Sequence, residues 1–148
     1  MDFRIAHTFT DSLKARTADG MPAYEFGVFV RSDAEMERAR SAADAALLPL
    51  RVLDQKVKTT VGFASLCTMH LAKGLEFRAV VVMACDDEIV PLQSRIESVA
   101  DNADLEEVYN TERHLLYVAC TRARDHLLVT IVAPGSEFLE DLRAPTGG

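Results

Sequence analysis

The order of apolar and polar positions along the chain predicts strands that alternate with helices. Short apolar runs rich in β-branched and aromatic residues predict strands at 26–31, 50–53, 64–69, 79–84 and 126–132. Apolar residues at helical spacing predict helices at about 33–48 and 104–121, with weaker helical signals at 8–18 and 136–143. This alternation is typical of an α/β layer fold with a mostly parallel central sheet.

Length and composition fit one globular domain with a substantial core. The 148 residues are 49% hydrophobic and 26% charged. No apolar run approaches the roughly 18 residues of a membrane span, and the first residues lack the pattern of a signal peptide, so we expect a cytoplasmic domain with no membrane partner. Cys67, Cys85 and Cys120 lie in apolar runs without metal-binding spacing, which predicts core packing and no metal site.

Acidic residues are concentrated in one connection. Residues 86–112 carry nine acidic side chains and one basic one, whereas the rest of the chain carries 14 acidic and 15 basic ones. The connection from about 85 to 103 contains Pro91 and has no clear period, which predicts a long surface loop with one helical turn at most. A net charge of −7 disfavours general nucleic-acid binding, which comes mostly from neutralising phosphates. A small nucleic-acid site is compatible with the near-neutral remainder.

The glycines exclude a phosphate-cradling loop within this chain. None of them stands in a GxxxxGK[ST] or GxGxxG pattern, and the seven are Gly20, Gly27, Gly62, Gly74, Gly135, Gly147 and Gly148. A nucleotide bound by this chain would therefore be contacted from the side.

The first stretch with candidate functional residues is Thr68-Met-His-Leu-Ala-Lys-Gly-Leu-Glu-Phe77, where a predicted buried strand ends in a polar turn. We expect this turn at the carboxyl edge of the sheet, where ligands of open α/β sheets gather. Glu76 could accept hydrogen bonds from ribose hydroxyls, or pair with Lys73 at the surface. His70 and Lys73 could bind phosphate or a base, or be a hydrogen-bonded histidine and a solvated lysine.

The second stretch is Glu112-Arg-His-Leu-Leu-Tyr-Val-Ala-Cys-Thr-Arg-Ala123, at the end of the predicted long helix. Arg122 and Arg124 stand at a rigid element's end, from which a forked guanidinium can reach a phosphate. The alternative for these arginines is an ion pair with Glu112 or with the acidic connection. Glu112 and Arg113 could likewise form a local salt bridge of little energy.

In combination these stretches resemble a known family. The first, followed by the valine-rich run, resembles motif V of the UvrD/Rep-like superfamily-one DNA helicases, and the second resembles their motif VI. The segment Phe26-Gly-Val-Phe-Val-Arg-Ser-Asp-Ala-Glu35 resembles the opening of that family's second motor domain. The resemblance covers about residues 24–132. It implies a three-layer RecA-like fold of the P-loop NTPase type, with residues 1–148 forming a single second motor domain.

The resemblance also implies a nucleotide site. Arg122 would act as an arginine finger on the γ-phosphate of ATP, and Glu76 would meet the ribose. Gly74 and Lys73 would lie beside the nucleotide. ATP and Mg²⁺ would be held mainly by the first RecA-like domain, which carries the P-loop and joins this one in cis or in trans.

A nucleic-acid site and its coupling residues follow from the same resemblance. Thr68 and His70 would contact single-stranded DNA. Glu112, Arg113 and Tyr117 would brace the motif VI helix and couple the two sites.

The chain departs from the family pattern in several places. The P-loop, the Mg²⁺-binding motif, the adenine pocket and an Asn-Tyr-Arg-type motif are missing, and a short polar turn replaces the large helical insertion between Leu53 and Thr68. His114 stands where the second arginine of motif VI is usual, which weakens the case for a bracing role at this position.

The sequence therefore predicts the C-terminal motor domain of an ATP-dependent translocase that moves three-prime to five-prime on single-stranded DNA. The chain would be a fragment of that enzyme or a natural truncated product. The alternative is a stand-alone, non-catalytic module that binds nucleic acid or protein. An unrelated α/β domain, in which Glu76 and Arg122 share no cleft, is the remaining interpretation.

We expect the isolated chain to be inactive as an ATPase, because no loop in it cradles the phosphates or the metal. The measurement is phosphate release from Mg·ATP by the purified chain, with and without single-stranded DNA. Release that disappears in Arg122→Ala would contradict this expectation.

Overall fold

The computed structural model describes residues 2–6, 20–46, 48–53, 62–86, 89–131 and 135–139. Six strands form one sheet, with the order β1-β6-β5-β2-β4-β3 and every strand pairing parallel. In chain order the strands are β1 (Asp2–Ala6), β2 (Phe26–Val30), β3 (Leu50–Val52), β4 (Ala64–Thr68), β5 (Phe77–Val82) and β6 (Ala123–Thr130). The predicted mostly parallel sheet is confirmed.

Three α-helices are described: α1 (Met36–Ala45), α2 (Gln93–Glu97) and α3 (Asn102–Cys120). Short 3₁₀ turns occupy Ala23–Glu25, Asp33–Glu35 and Met69–Leu71. The predicted helix at 104–121 is confirmed, and Asp101 caps it by accepting a hydrogen bond from the backbone of Asp104 at 2.8 Å. The helical signal at 8–18 lies outside the described residues, and that at 136–143 lies mostly outside them.

Alternate residues of the central strands pack on opposite faces of the sheet. Val28 and Val81 belong to the core beneath α1, whereas Phe29 and Val80 belong to the core beneath α3. Strands buried on both faces explain why β2 reads as a continuous apolar run instead of an alternating one. Helices on both sides of the sheet complete the three layers of the predicted RecA-like fold.

Two strands have charged residues near their beginnings that are not part of the apolar runs used to predict them. β5 begins at Phe77 and β6 at Ala123, earlier than the apolar runs predicted. The pairing between them is irregular after Phe77, and Arg78 faces out to form ion pairs with Glu25 at 3.4 Å and Asp125 at 3.1 Å. Strand β1 was not predicted, because its apolar positions are too few to show a period.

The acidic connection is more than a surface loop. Val90 is fully buried in the core beneath α3, and helix α2 follows it. The expectation of a surface loop is therefore wrong for this part, because the short apolar run at 89–92 packs inward while acidic residues flank it. The remainder around residue 101 is exposed, as predicted.

The segment between β4 and β5 crosses from one edge of the sheet to the other. Thr68 ends β4 at the carboxyl edge, but the parallel β5 must begin at the amino edge, on the far side of β2. Met69 and Ala72 are buried along this crossing, in the core beneath α3. The expectation that the whole polar turn lies at the carboxyl edge is therefore wrong, because Glu76 lies at the amino edge.

We expect Gly27→Ala to destabilise the sheet by about 1–3 kcal/mol, the usual range for overpacking a core. A Cβ atom at Gly27 would overlap the ring of Phe77, which is itself packed edge-on against Phe29. The measurement is the free energy of unfolding in denaturant. The matched control is Phe77→Leu, in whose background Gly27→Ala should cost less, and an equal cost in both backgrounds would contradict the overlap.

Candidate nucleotide and nucleic-acid edges

The amino edge of the sheet brings the two motif stretches together. The backbone N–H of Phe77 donates to the carbonyl oxygen of Arg122 at 2.9 Å, and the Arg122 guanidinium reaches the carbonyl of Leu75 at 3.5 Å. These contacts flank Glu76 on both sides. β5 and β6 are neighbours, so the residues that precede them, Glu76 and Arg122 among them, share one edge of the sheet.

The Arg122 guanidinium rests on the last turn of α3. Its Nε–H donates to the carbonyl of Val118 at 3.2 Å, and a terminal nitrogen donates to the hydroxyl of Thr121 at 3.1 Å. A cation at this end of a helix is favoured by the helix dipole. The alternative of an ion pair between Arg122 and Glu112 is not formed, because other donors occupy that carboxylate.

Glu76 lies beside an arginine instead of the lysine considered above. Its carboxylate is 3.5 Å from Nε of Arg124, and both side chains are more than half exposed. Exposed pairs of this kind contribute little to stability, so either group can exchange its partner for a ligand. Lys73 is exposed, and Gly74 takes a positive φ of 85° that allows the chain to turn toward Glu76.

The carboxyl edge carries Thr68 and His70. Thr68 is the last residue of β4, and His70 is an exposed residue of the 3₁₀ turn that follows. Arg31, the first residue after β2, donates from a terminal nitrogen to Nε2 of His70 at 3.2 Å. Because a guanidinium can only donate, Nε2 is the acceptor in this contact.

A buried carboxylate joins this edge to α3. Glu112 is fully buried and accepts hydrogen bonds from Arg31 at 2.8 and 2.7 Å, from the backbone of Leu92 at 2.7 Å and from Arg95 at 3.0 Å. The bidentate contact with Arg31 is the strong, geometrically specific form of the arginine–carboxylate pair.

The environment of Glu112 favours its charged form. Burial alone would raise the pKa of the carboxyl, but hydrogen bonds from Arg31 and Leu92, together with the nearby charges of Arg31 and Arg95, lower it below its ordinary value. A lowered folded-state pKa contributes stability above the pKa of the unfolded chain. That contribution is lost as the pH falls through the folded-state pKa.

The other two predicted coupling residues, Arg113 and Tyr117, are both exposed on α3. Arg113 is exposed and stands over the ring of Phe138, 5.0 Å from its centre, while a terminal nitrogen lies 3.4 Å from the side-chain oxygen of Asn110. Tyr117 is 59% exposed. Only Glu112 among the three lies within the core. The local salt bridge considered between Glu112 and Arg113 is replaced by the pairing of Glu112 with Arg31.

The sequence did not predict that Arg31 and Arg95 pair with Glu112, or that Arg124 pairs with Glu76. Arg31 stands 81 residues from Glu112, so no local spacing signals their contact. Its one sequence signal is a charged residue directly after a fully apolar strand. Such a charge must either leave the core or find a buried partner.

The three cysteines are free and buried, as predicted. Burial raises the pKa of the Cys67 and Cys120 thiols to about 12 and that of Cys85 well above its usual value. Within the described residues, no group of three or more His, Cys, Asp or Glu side chains is placed to hold a metal ion. None of the described helices is long and apolar enough to cross a membrane.

The parallel sheet with helices on both faces makes this a three-layer α/β domain. A family model for the UvrD-like helicase C-terminal domain matches residues 44–133. The match covers more than half of the sequence, and the chain belongs to the UvrD-like helicase C-terminal domain family.

Individual relatives agree with this assignment. The chain is 34% identical over 100 residues to the ATP-dependent DNA helicase UvrD1 of Mycobacterium leprae, covering 60% of this chain and 12% of that protein. It is 39% identical over 88 residues to the ATP-dependent DNA helicase PcrA of Bacillus subtilis, covering 58% and 11%. The chain thus spans about a tenth of the length of these relatives.

A solved structure shows the same fold. The crystal structure of the C-terminal domain of a possible DNA helicase from Lactobacillus plantarum matches with a TM-score of 0.62 at 22% identity. The match covers 93% of this chain and 77% of that chain. This similarity supports the RecA-like architecture independently of the two motif stretches.

We expect Glu112→Gln to destabilise the domain by about 3–5 kcal/mol, the cost of leaving a buried charge without its partner. The amide keeps the shape of the side chain but removes the charge that compensates Arg31. The measurement is the free energy of unfolding at neutral pH. Glu76→Gln is the matched control, because its pair with Arg124 is exposed and its removal should have no measurable effect.

The difference in stability between wild type and Glu112→Gln should shrink as the pH falls below the ordinary glutamate pKa of about 4.3. Protonation then removes from the wild type the same charge that the substitution removes. A difference that stays constant down to the acid unfolding transition would contradict the lowered pKa of Glu112.

Proposed function

We propose that this chain is the C-terminal motor domain of an ATP-dependent single-stranded DNA translocase or helicase. The observation that carries the proposal is the convergence of Glu76 and Arg122 at the amino edge of the sheet, in a domain of the UvrD-like family. The relatives named above are ATP-dependent DNA helicases, and they contain far more chain than is present here.

At the amino edge, Arg122 would supply positive charge to the γ-phosphate and Glu76 would accept hydrogen bonds from the ribose. Both side chains reach solvent, and the terminal nitrogens of Arg122 bond neutral oxygens at 3.1 and 3.5 Å, which a charged phosphate can replace. Lys73 and Gly74 belong to the turn that leads to this site. The described residues do not fit a phosphate cradle or a Mg²⁺ site, so the P-loop-bearing first domain would hold both.

At the carboxyl edge, Thr68 and His70 would contact single-stranded DNA. The exposed ring of His70 can stack on a base, and the Thr68 hydroxyl can donate to a phosphate. The exposed acidic residues near the start of α3, such as Glu106 and Glu107, would repel phosphates and restrict the strand to the side of the 3₁₀ turn.

The two edges belong to one rigid sheet, and this arrangement suits a motor. Closure of the first domain on ATP would move the amino edge, and the carboxyl edge would move with it relative to the strand. Glu112, Arg113 and Tyr117 would fix α3 in this movement, and the Arg122 guanidinium rests on the last turn of that helix. The direction three-prime to five-prime is part of the proposal and follows from the family resemblance.

A non-catalytic binding module is the competing function. It would bind single-stranded DNA tightly without the first domain, with an affinity that falls steeply with salt. Arg122 would then have no role in turnover of the longer protein.

In the longer protein that supplies the P-loop domain, Arg122→Ala should reduce ATP turnover by about a thousandfold, the scale typical of arginine fingers. The domain should stay folded, because Arg122 makes only long contacts at a helix end. The measurement is steady-state phosphate release at saturating ATP and single-stranded DNA, with thermal unfolding to verify the fold.

Arg78→Ala is the matched control. Arg78 is also an arginine at the amino edge, but it pairs with Glu25 and Asp125 instead of facing the region beside Glu76. Turnover in Arg78→Ala should equal that of the wild type. Equal turnover in Arg122→Ala as well would refute the finger assignment and leave the binding module as the better function.

A further inference from the structure

Arg31 is a buried arginine whose guanidinium contacts both functional stretches at once. Its Nε and one terminal nitrogen bind the two oxygens of Glu112, at 2.8 and 2.7 Å, while its other terminal nitrogen donates to Nε2 of His70 at 3.2 Å. One end of this contact is buried in the core, and the other is the exposed ring at the carboxyl edge.

The contact with His70 is not needed to neutralise Arg31. Glu112 provides the counter-charge, which it shares with Arg95, and it holds Arg31 by a bidentate pair. The third donor instead ties the buried pair to a side chain that solvent and ligands can reach. A ligand that binds Nε2 of His70 removes the hydrogen-bond acceptor of one Arg31 terminal nitrogen. A buried donor without an acceptor is costly, so the Arg31 guanidinium would rearrange to find another one.

We propose that Arg31 is a positioning residue that links the His70 turn to α3, so that nucleic acid at the carboxyl edge changes the position of Arg122 at the amino edge. The inference rests on the proposed function, because it requires a strand to contact His70. It names the residue through which the two proposed sites communicate, and its two states differ in whether Arg31 donates to His70.

The path from Arg31 to Arg122 is short and rigid. Glu112 lies eight residues before the end of α3 at Cys120, about 12 Å at the rise of an α-helix, and Arg122 follows that end by two residues. Nε of Arg122 donates to Val118 on that same helix, so a small rotation or translation of α3 moves the guanidinium with it. The 3₁₀ turn of His70 also packs in the core beneath α3, which keeps both ends of the path in contact.

The test uses the whole 148-residue chain and an oligothymidylate of about ten nucleotides, within the usual length of a single-strand site. Nuclear magnetic resonance follows the ring nitrogens of His70 and the Nε–H of Arg122 as the oligonucleotide is added to saturation. In the wild type we expect both groups to shift. Fluorescence polarisation of a labelled oligonucleotide verifies that each variant is saturated.

Two variants break the link at different points. Arg31→Lys keeps the buried charge but lacks the fork that spans Glu112 and His70. His70→Phe keeps an aromatic face for stacking but lacks the Nε2 acceptor, and thermal unfolding verifies that this variant is folded. His70→Phe should bind the oligonucleotide more weakly, so the oligonucleotide concentration is raised until polarisation shows saturation. In both saturated variants the shift at Arg122 should be lost.

Arg38→Lys is the matched control, since Arg38 is also a fork, bound to Asp86 at 2.8 and 3.4 Å on the α1 side of the sheet. On saturation of Arg38→Lys with the oligonucleotide, the shift of the Arg122 Nε–H should equal that of the wild type. If Arg31→Lys fails to fold, His70→Phe decides the question alone, because the buried pair remains intact in that variant.

The possible negative results distinguish an error in the Arg31 link from an error in the proposed nucleic-acid site. A shift at Arg122 that persists in saturated Arg31→Lys or His70→Phe would overturn the link and leave the proposed function intact. The same holds for a wild type in which His70 shifts and Arg122 does not. A wild type in which His70 itself does not respond would instead refute the nucleic-acid edge, and the link would fall with it.

Discussion

The buried pair between Arg31 and Glu112 is the interaction on which the arrangement of the carboxyl edge depends. Apolar packing holds α3 against the sheet but tolerates small shifts along the strands. A bidentate pair fixes both distance and orientation, because two parallel hydrogen bonds must form at once. Arg95 and the backbone of Leu92 add two more donors, so the acidic connection is anchored to the same carboxylate. Such a pair contributes more to specificity of position than to net stability, since both ions lose their hydration.

Much of the fold could be predicted because its signals are local. Fully apolar runs that alternate with helical periods indicate a parallel sheet covered on both faces, and this architecture is confirmed. The placement of Glu76 and Arg122 at one edge follows from the order of the elements in a parallel sheet. Each precedes a strand, the two strands are consecutive in the chain and paired in the sheet, and residues that precede paired parallel strands share one edge.

The remaining features could not be predicted because they depend on contacts between distant residues. The nearness of Glu76 to Arg122 depends on the place of β5 between β2 and β6, which no local pattern reveals. The partner of Glu112 lies 81 residues away, and the period of α3 shows only that position 112 faces inward with Leu116. The burial of Val90 was likewise hidden, because a short apolar run among acidic residues carries no period of its own.

The two ion pairs beside the proposed sites differ in a way that matches their positions. Glu76 and Arg124 are both mostly exposed and 3.5 Å apart, so water and ligands compete with the pair at small energetic cost. Arg31 and Glu112 are buried, and separating them would leave two charges in the core. A surface that must release one partner to bind a nucleotide requires the first kind of pair. A connection that must transmit a displacement without dissolving requires the second, and the protein therefore has the weak pair where a ligand would enter and the strong pair where the elements meet.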